Sequence, residues 1–159
     1  MDSDIIIRGY ENKDWENVCD IFTKAKPEEF RGVIAGENIL PLQKDAEILK
    51  LFQNSDIYVA EMYNNVIAFA GYSKYLISFL FVNPEYCRRG VATKLLQHIL
   101  PMIGNQAWLL VLKTNLAAIS LYNRFGFDTA EEFNGSYNDI EVVVLRLALS
   151  PQLKPWLLK

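Results

Sequence analysis

The sequence holds little of what several protein classes require. Two cysteines, Cys19 and Cys87, cannot form a disulfide framework, and they are not spaced as metal ligands. With one histidine, His98, and no Cys/His cluster, no metal site is expected. No block of Lys or Arg is present, and 16 basic against 19 acidic residues give a net charge of −3, so nucleic acid is not an expected partner. The densest apolar run, Tyr75 to Val82, is far short of the ~20 residues a bilayer requires, which excludes a membrane span. The first residues, Met1-Asp2-Ser3-Asp4, are acidic and lack the basic start of a secretory signal. A protein of a reducing, cytoplasmic compartment is the expectation.

What is present is a core-former. The chain has 159 residues, 51% apolar and 13% aromatic, the size and content of one well-filled domain expected to span 1–159. No repeat, low-complexity tract or Gly/Ser/Pro-rich linker divides it.

The element order reads as mixed. Ile5–Ile7 begins a strand, and Asn12 or Asp14 caps a helix carrying Trp15, Val18, Cys19 and Phe22 on one stripe. Pro27 is expected to end that helix near Lys26, leaving Glu28 to Pro41 irregular before a second helix with Ala46, Leu49 and Phe52. Strands follow at Ile57–Met62 and Val66–Ser73, turning at Asn64-Asn65, and at Ile77–Val82, whose apolar content predicts burial on both faces. A helix from about Arg89 to Leu100, a strand at Trp108–Leu112 and a helix from Leu116 to Phe125, stopped by Gly126, come next. Phe127–Phe133 and Ile140–Leu149 close the chain as a hairpin with Asn134-Gly135 in its connection. The order is β-α-α-β-β-β-α-β-α-β-β, an α/β (α+β mixed) architecture with a mostly antiparallel sheet.

Two segments carry chemistry. In Asn83-Pro84-Glu85-Tyr86-Cys87-Arg88-Arg89-Gly90-Val91-Ala92-Thr93 a buried strand stops and a helix starts through Arg-Arg-Gly. The first turn of a helix has N–H groups without partners, and Gly90 and Ala92 leave room for an anion to approach them. This suits a pyrophosphate, although an ordinary strand-to-helix turn with solvated arginines uses the same residues. In the second segment Asn115 and Tyr122 lie seven residues apart, two turns along one helix face. Helix capping by Thr114 or Asn115, and core packing of Tyr122, are the plain structural alternatives.

Together, these segments resemble the GNAT superfamily of N-acetyltransferases. The family's acyl-CoA signature Q/R-x-x-G-x-G/A is matched by Cys87-Arg88-Arg89-Gly90-Val91-Ala92, and its downstream N-x-x-A-x-x-x-Y-x-x-x-G-F by Asn115, Ala118, Tyr122, Gly126 and Phe127. The resemblance implies a strand ending at Phe81-Val82 that splays from its neighbour and binds the pantetheine arm of acetyl-CoA. It implies a pyrophosphate held by the amides of Arg88, Arg89, Gly90, Val91, Ala92 and Thr93, and an Asn115 contact to pantetheine. Tyr122 would protonate the departing thiolate, and the Val82 amide would serve the oxyanion. The implied activity is acetyl transfer to a primary amine, of a small molecule or a protein, in a ternary complex. The alternative is a catalytically silent acyl-CoA-binding module.

Two positions depart from the family pattern. Cys87 stands where Gln or Arg is usual; it is expected to tuck against the helix as a small residue, with a redox role as the alternative. The strand position five residues before the Asn, where many relatives that acetylate N-terminal amines carry Glu, is Leu110. Another base is then needed, and Glu28, Glu29, Glu61, Asp139 and Glu141 are the carboxylates available. His98 is expected to be partly buried, and the tail Pro155-Trp156-Leu157-Leu158 to dock on its own domain or on a second copy, so a homodimer stays open. The acceptor is expected to enter between the Glu28–Pro41 stretch and the Asn134–Asp139 loop.

Overall fold

The computed structural model describes residues 4–36 and 39–150, so the tail at 155–158 lies outside the described residues. Seven strands, β1 (Ile5–Gly9), β2 (Asp56–Met62), β3 (Asn65–Ser73), β4 (Leu76–Val82), β5 (Trp108–Leu112), β6 (Asp128–Tyr137) and β7 (Ile140–Ala148), form one sheet in the order β1-β2-β3-β4-β5-β7-β6. Four helices, α1 (Trp15–Glu29), α2 (Ala46–Gln53), α3 (Val91–Ile103) and α4 (Leu116–Arg124), interleave with them in the expected order. All pairings are antiparallel except β4 with β5.

Each face of the sheet has its own core. On one, Val91, Leu95, Leu96 and Ile99 of α3 meet Leu109, Val111, Leu145 and Leu147, at helical and strand periods respectively. On the other, Val18, Ile21 and Phe22 of α1 and Phe52 of α2 close over Val59, Phe69, Phe79 and Phe81. The rings of Phe69, Phe79 and Phe81 lie 5.5–6.3 Å apart, and Phe22 of α1 packs on Phe81 at 5.1 Å, so aromatic packing fixes α1 against the end of β4.

β4 and β5 form one ladder pair, Leu76 with Trp108, closed by the Trp108 N–H donating to the Tyr75 carbonyl at 2.9 Å. The cause of their parting is local. Against β3, Gly71 pairs with Phe79 and Tyr72 with Ile77, which leaves Ser78 as an extra residue on β4. Such a bulge bends its strand and increases the local twist. Its hydroxyl is held by the Ser55 hydroxyl, 2.8 Å away.

Four expectations need correction. Pro27 does not end α1, which runs on to Glu29. Proline lacks the donor to the carbonyl four residues back and crowds that carbonyl, but here it falls in the last turn, which is closed by the Phe30 N–H on the Pro27 carbonyl. The last hairpin turns at Asn138-Asp139, both left-handed (φ 50° and 65°), whereas Asn134-Gly135 lies inside β6 opposite Val143 and Val142. β4 is buried on one face only, its residues alternating buried and half-buried, because the splay opens the other face. His98 is exposed, resting against the Tyr58 ring at 5.0 Å.

At the entry to α1, Arg8 holds the buried Asp14 through two hydrogen bonds of 2.8 and 2.9 Å. The guanidinium keeps the Asp14 carboxyl below its ordinary value, despite the opposing effect of burial. A depressed carboxyl stabilises the fold above its unfolded pKa and loses that contribution as pH falls through the folded one. Asp14→Asn should therefore cost about 2 kcal/mol in urea unfolding at neutral pH. That difference should shrink as pH drops below the ordinary aspartate value of 3.8; a deficit unchanged by acid would contradict the pairing.

Candidate active site

The parting of β4 from β5 opens a cleft of about 1100 Å³ that runs from the start of α3, between the strands, to the end of α1. Of the residues singled out in the sequence, Phe81, Val82, Arg88, Ala92, Asn115 and Tyr122 line it. Arg89, Gly90, Val91 and Thr93 are not among its walls. Val91 is buried in the core under α3, and Arg89 is exposed with its guanidinium 5.4 Å from the Tyr86 ring centre.

At the strand edge, the Asn83 N–H donates to Ile67 on β3 at 2.8 Å. Alternation along an extended chain then turns the Val82 N–H toward the opposite edge, where β5 has moved away. At the helix start, Arg88 and Gly90 are both left-handed (φ 66° and 76°), and no side chain caps α3. The first-turn amides are thus left without side-chain acceptors beside an arginine that faces the cleft. This donor set fits a diphosphate at one end and an amide-bearing arm along the strand, as coenzyme A presents. Cys87 is exposed on the cleft wall, which corrects the expectation that it tucks against the helix. The turn through left-handed Arg88 carries it outward.

Asn115 caps α4, its side-chain oxygen accepting from the Ala118 N–H at 3.3 Å. One turn and more beyond, Tyr122 is buried, its ring edge-on to Phe127 at 5.4 Å. Burial first, and the negative charge of Glu29 second, push its phenol well above the ordinary tyrosine value. Burial and that charge hold the group in its protonated form.

Of the five carboxylates considered as bases, only Glu28 and Glu29 line the cleft. Glu61 is tied to Arg8 at 3.2 Å, on the β2 strand that pairs with β1. Asp139 and Glu141 are exposed at the β6–β7 turn. Glu28 is exposed and pairs with Arg31 at 2.7 Å. Glu29 is half-buried, accepts from Lys26 Nζ at 2.7 Å, and is the acid whose charge acts on Tyr122. Lys26 itself was not singled out by sequence. Its ammonium lies 5.7, 5.5 and 5.6 Å from the ring centres of Phe22, Phe30 and Phe81. The signal that could have found it is the Lys26–Glu29 spacing at a helix end, visible only once the helix is carried through Pro27. Phe30 stacks on Tyr137 at 4.7 Å, so the α1–α2 connection and the last hairpin meet over this end of the cleft.

If Tyr122 is sealed in this way, tyrosine ionisation followed by ultraviolet absorbance should be the same for wild type and Tyr122→Phe near pH 10, where exposed phenols titrate. A missing phenolate step in the mutant would show the hydroxyl to be solvated instead.

Comparison with known proteins agrees with this geometry. Residues 53–129, from the end of α2 to the start of β6, match the Acetyltransferase (GNAT) domain family. The uncharacterized N-acetyltransferase YafP of Escherichia coli is 28% identical over 82% of this chain and 85% of its own. The ribosomal-protein-S18-alanine N-acetyltransferase of Escherichia coli superposes with a TM-score of 0.72 at 20% identity, covering 91% of this chain and 92% of that one. An N-acetyltransferase of Thermoplasma acidophilum, solved in complex with coenzyme A, superposes with a TM-score of 0.69 at 18% identity, covering 89% and 97%. The shared fold extends over the splayed strands, and the family match spans both sequence motifs. Over residues 53–129 in sequence, and over nearly its whole length in fold, the chain is similar to the GNAT acetyltransferases.

Proposed function

We infer that the protein is an acetyl-CoA-dependent N-acetyltransferase acting on a primary amine by direct attack. The observation that carries this reading is the placing of a proton-holding phenol, Tyr122, in the same cleft as an uncapped helix start and an open strand edge. A module that only bound acyl-CoA would have no use for that phenol.

Bound there, acetyl-CoA supplies an activated acetyl thioester. Amides from Arg88 through Thr93, with the Arg88 side chain, hold its diphosphate, and the edge of β4 with Asn115 orients its arm. The Val82 N–H faces the developing oxyanion. Amine nitrogen bonds to the carbonyl carbon while the C–S bond breaks. Glu29 takes the proton the amine releases, in place of the strand carboxylate that Leu110 denies, and Tyr122 gives its proton to the thiolate. The acceptor reaches this point past Phe30 and Tyr137. Its identity within the primary amines, small molecule or protein, is set by that opening.

Thiol release with a panel of amines tests the activity. Tyr122→Phe should lower turnover by about 10²-fold while calorimetric affinity for coenzyme A stays the same, as loss of a proton donor requires. Undiminished turnover in that mutant would remove Tyr122 from the chemistry. Gly90→Glu forces a side chain and a negative charge into a left-handed position at the helix start. It should abolish coenzyme binding, and retained binding would place the diphosphate elsewhere.

A further inference from the structure

We propose that Lys26 is an internal acceptor: the domain acetylates the Nζ of its own Lys26. This rests on the acetyltransferase reading above and adds a modification site to it.

Lys26 is the lysine among the residues that line the cleft. Its side chain is 17% exposed, against 46% for Lys24 one turn-fraction away on the same helix and 55% for Lys113. Three aromatic rings and one carboxylate surround the amine. Phe81 immediately precedes Val82 at the end of β4, and its ring centre lies 5.6 Å from Nζ. Glu29, 2.7 Å from Nζ, is also the charge felt by the Tyr122 phenol. The amine thus sits beside Glu29 and the Phe81 ring at the α1 end of the cleft that Val82 and Tyr122 also line. Aliphatic ammonium groups settle on aromatic faces by cation–π attraction, so this seat holds the amine in place rather than leaving it to sweep through solvent.

The step balances without any further reagent. Glu29 takes a proton from the Lys26 ammonium, the freed Nζ bonds to the acetyl carbonyl carbon of an acyl-CoA thioester, and the C–S bond breaks. The second N–H proton passes to bulk water, and Tyr122 protonates the departing sulfur. Acetyl-Lys26 is neutral. It loses both its ion pair with Glu29 and its cation–π contacts, which leaves Glu29 unpaired toward an incoming amine.

The experiment incubates the intact protein with acetyl-CoA and no added amine, and follows whole-protein mass and peptide maps over time. One acetyl group should appear on Lys26, at a rate independent of protein concentration because the transfer is within one molecule. It should be absent from Lys26→Arg and Gly90→Glu and slower by about tenfold or more in Glu29→Gln, where the proton acceptor is gone. Lys26 remaining unmodified while free amines are acetylated would overturn the proposal and leave the enzyme reading intact. Equal labelling of exposed lysines such as Lys24 and Lys113, or labelling that persists in Gly90→Glu, would show ordinary chemical acetylation and also overturn it. Absence of both coenzyme binding and amine turnover would defeat the underlying reading instead.

Discussion

Everything at the site depends on two neighbouring strands that pair once and then part. A parallel pair normally spends its edge groups on each other, and unspent groups inside a protein are costly. Here the ladder stops after Leu76 and Trp108, and the extra residue Ser78 bends β4 away. The edge that results faces an open cleft and not a dry core, so its groups are not sealed away from water. Backbone donors left without protein partners in an ordered strand are well suited to hold an amide-bearing ligand, since no conformational reorganisation is needed when it arrives.

The rest of the fold keeps this opening in place. α3 packs Val91, Leu95, Leu96 and Ile99 into the core, so its first turn is rigid while its amides stay uncapped. α4 buries Tyr122 and is capped by Asn115, which fixes the phenol relative to the strand gap. From the opposite face, Phe22 of α1 packs on Phe81 of the Phe69, Phe79 and Phe81 cluster, which brings Lys26 and Glu29 over the end of β4. A second hollow of about 740 Å³ is lined by Tyr10, Trp15 and Phe52, away from the parting of β4 and β5.

Much of this was legible in the residues. Element order followed from apolar periodicity, and Arg88 and Ala92 of one pattern and Asn115 and Tyr122 of the other line the same cleft, each pattern being local to one helix start or face. What escaped had non-local or competing causes. Pro27 was read as a stop because its missing donor is a local fact, whereas the burial of Phe30 that holds the last turn is tertiary. Asn134-Gly135 carries a turn signal that strand register overrides, and Asn138-Asp139 supplies the left-handed pair instead. Ser78 gives no sign in sequence that it is the extra residue of a bulge, since only pairing with β3 makes it one. Narrowing five carboxylates to Glu28 and Glu29 likewise needed three dimensions, because charge alone does not tell which acids share a cleft with Tyr122.

The measurement that tests the central claim most directly is the backbone amide NMR spectrum during titration with coenzyme A. The account predicts the largest shifts at Val82 and at Arg88 through Thr93, with smaller ones at Asn115 and Ala118. A spectrum that does not move, or one whose changes gather around Tyr10 and Phe52, would contradict it.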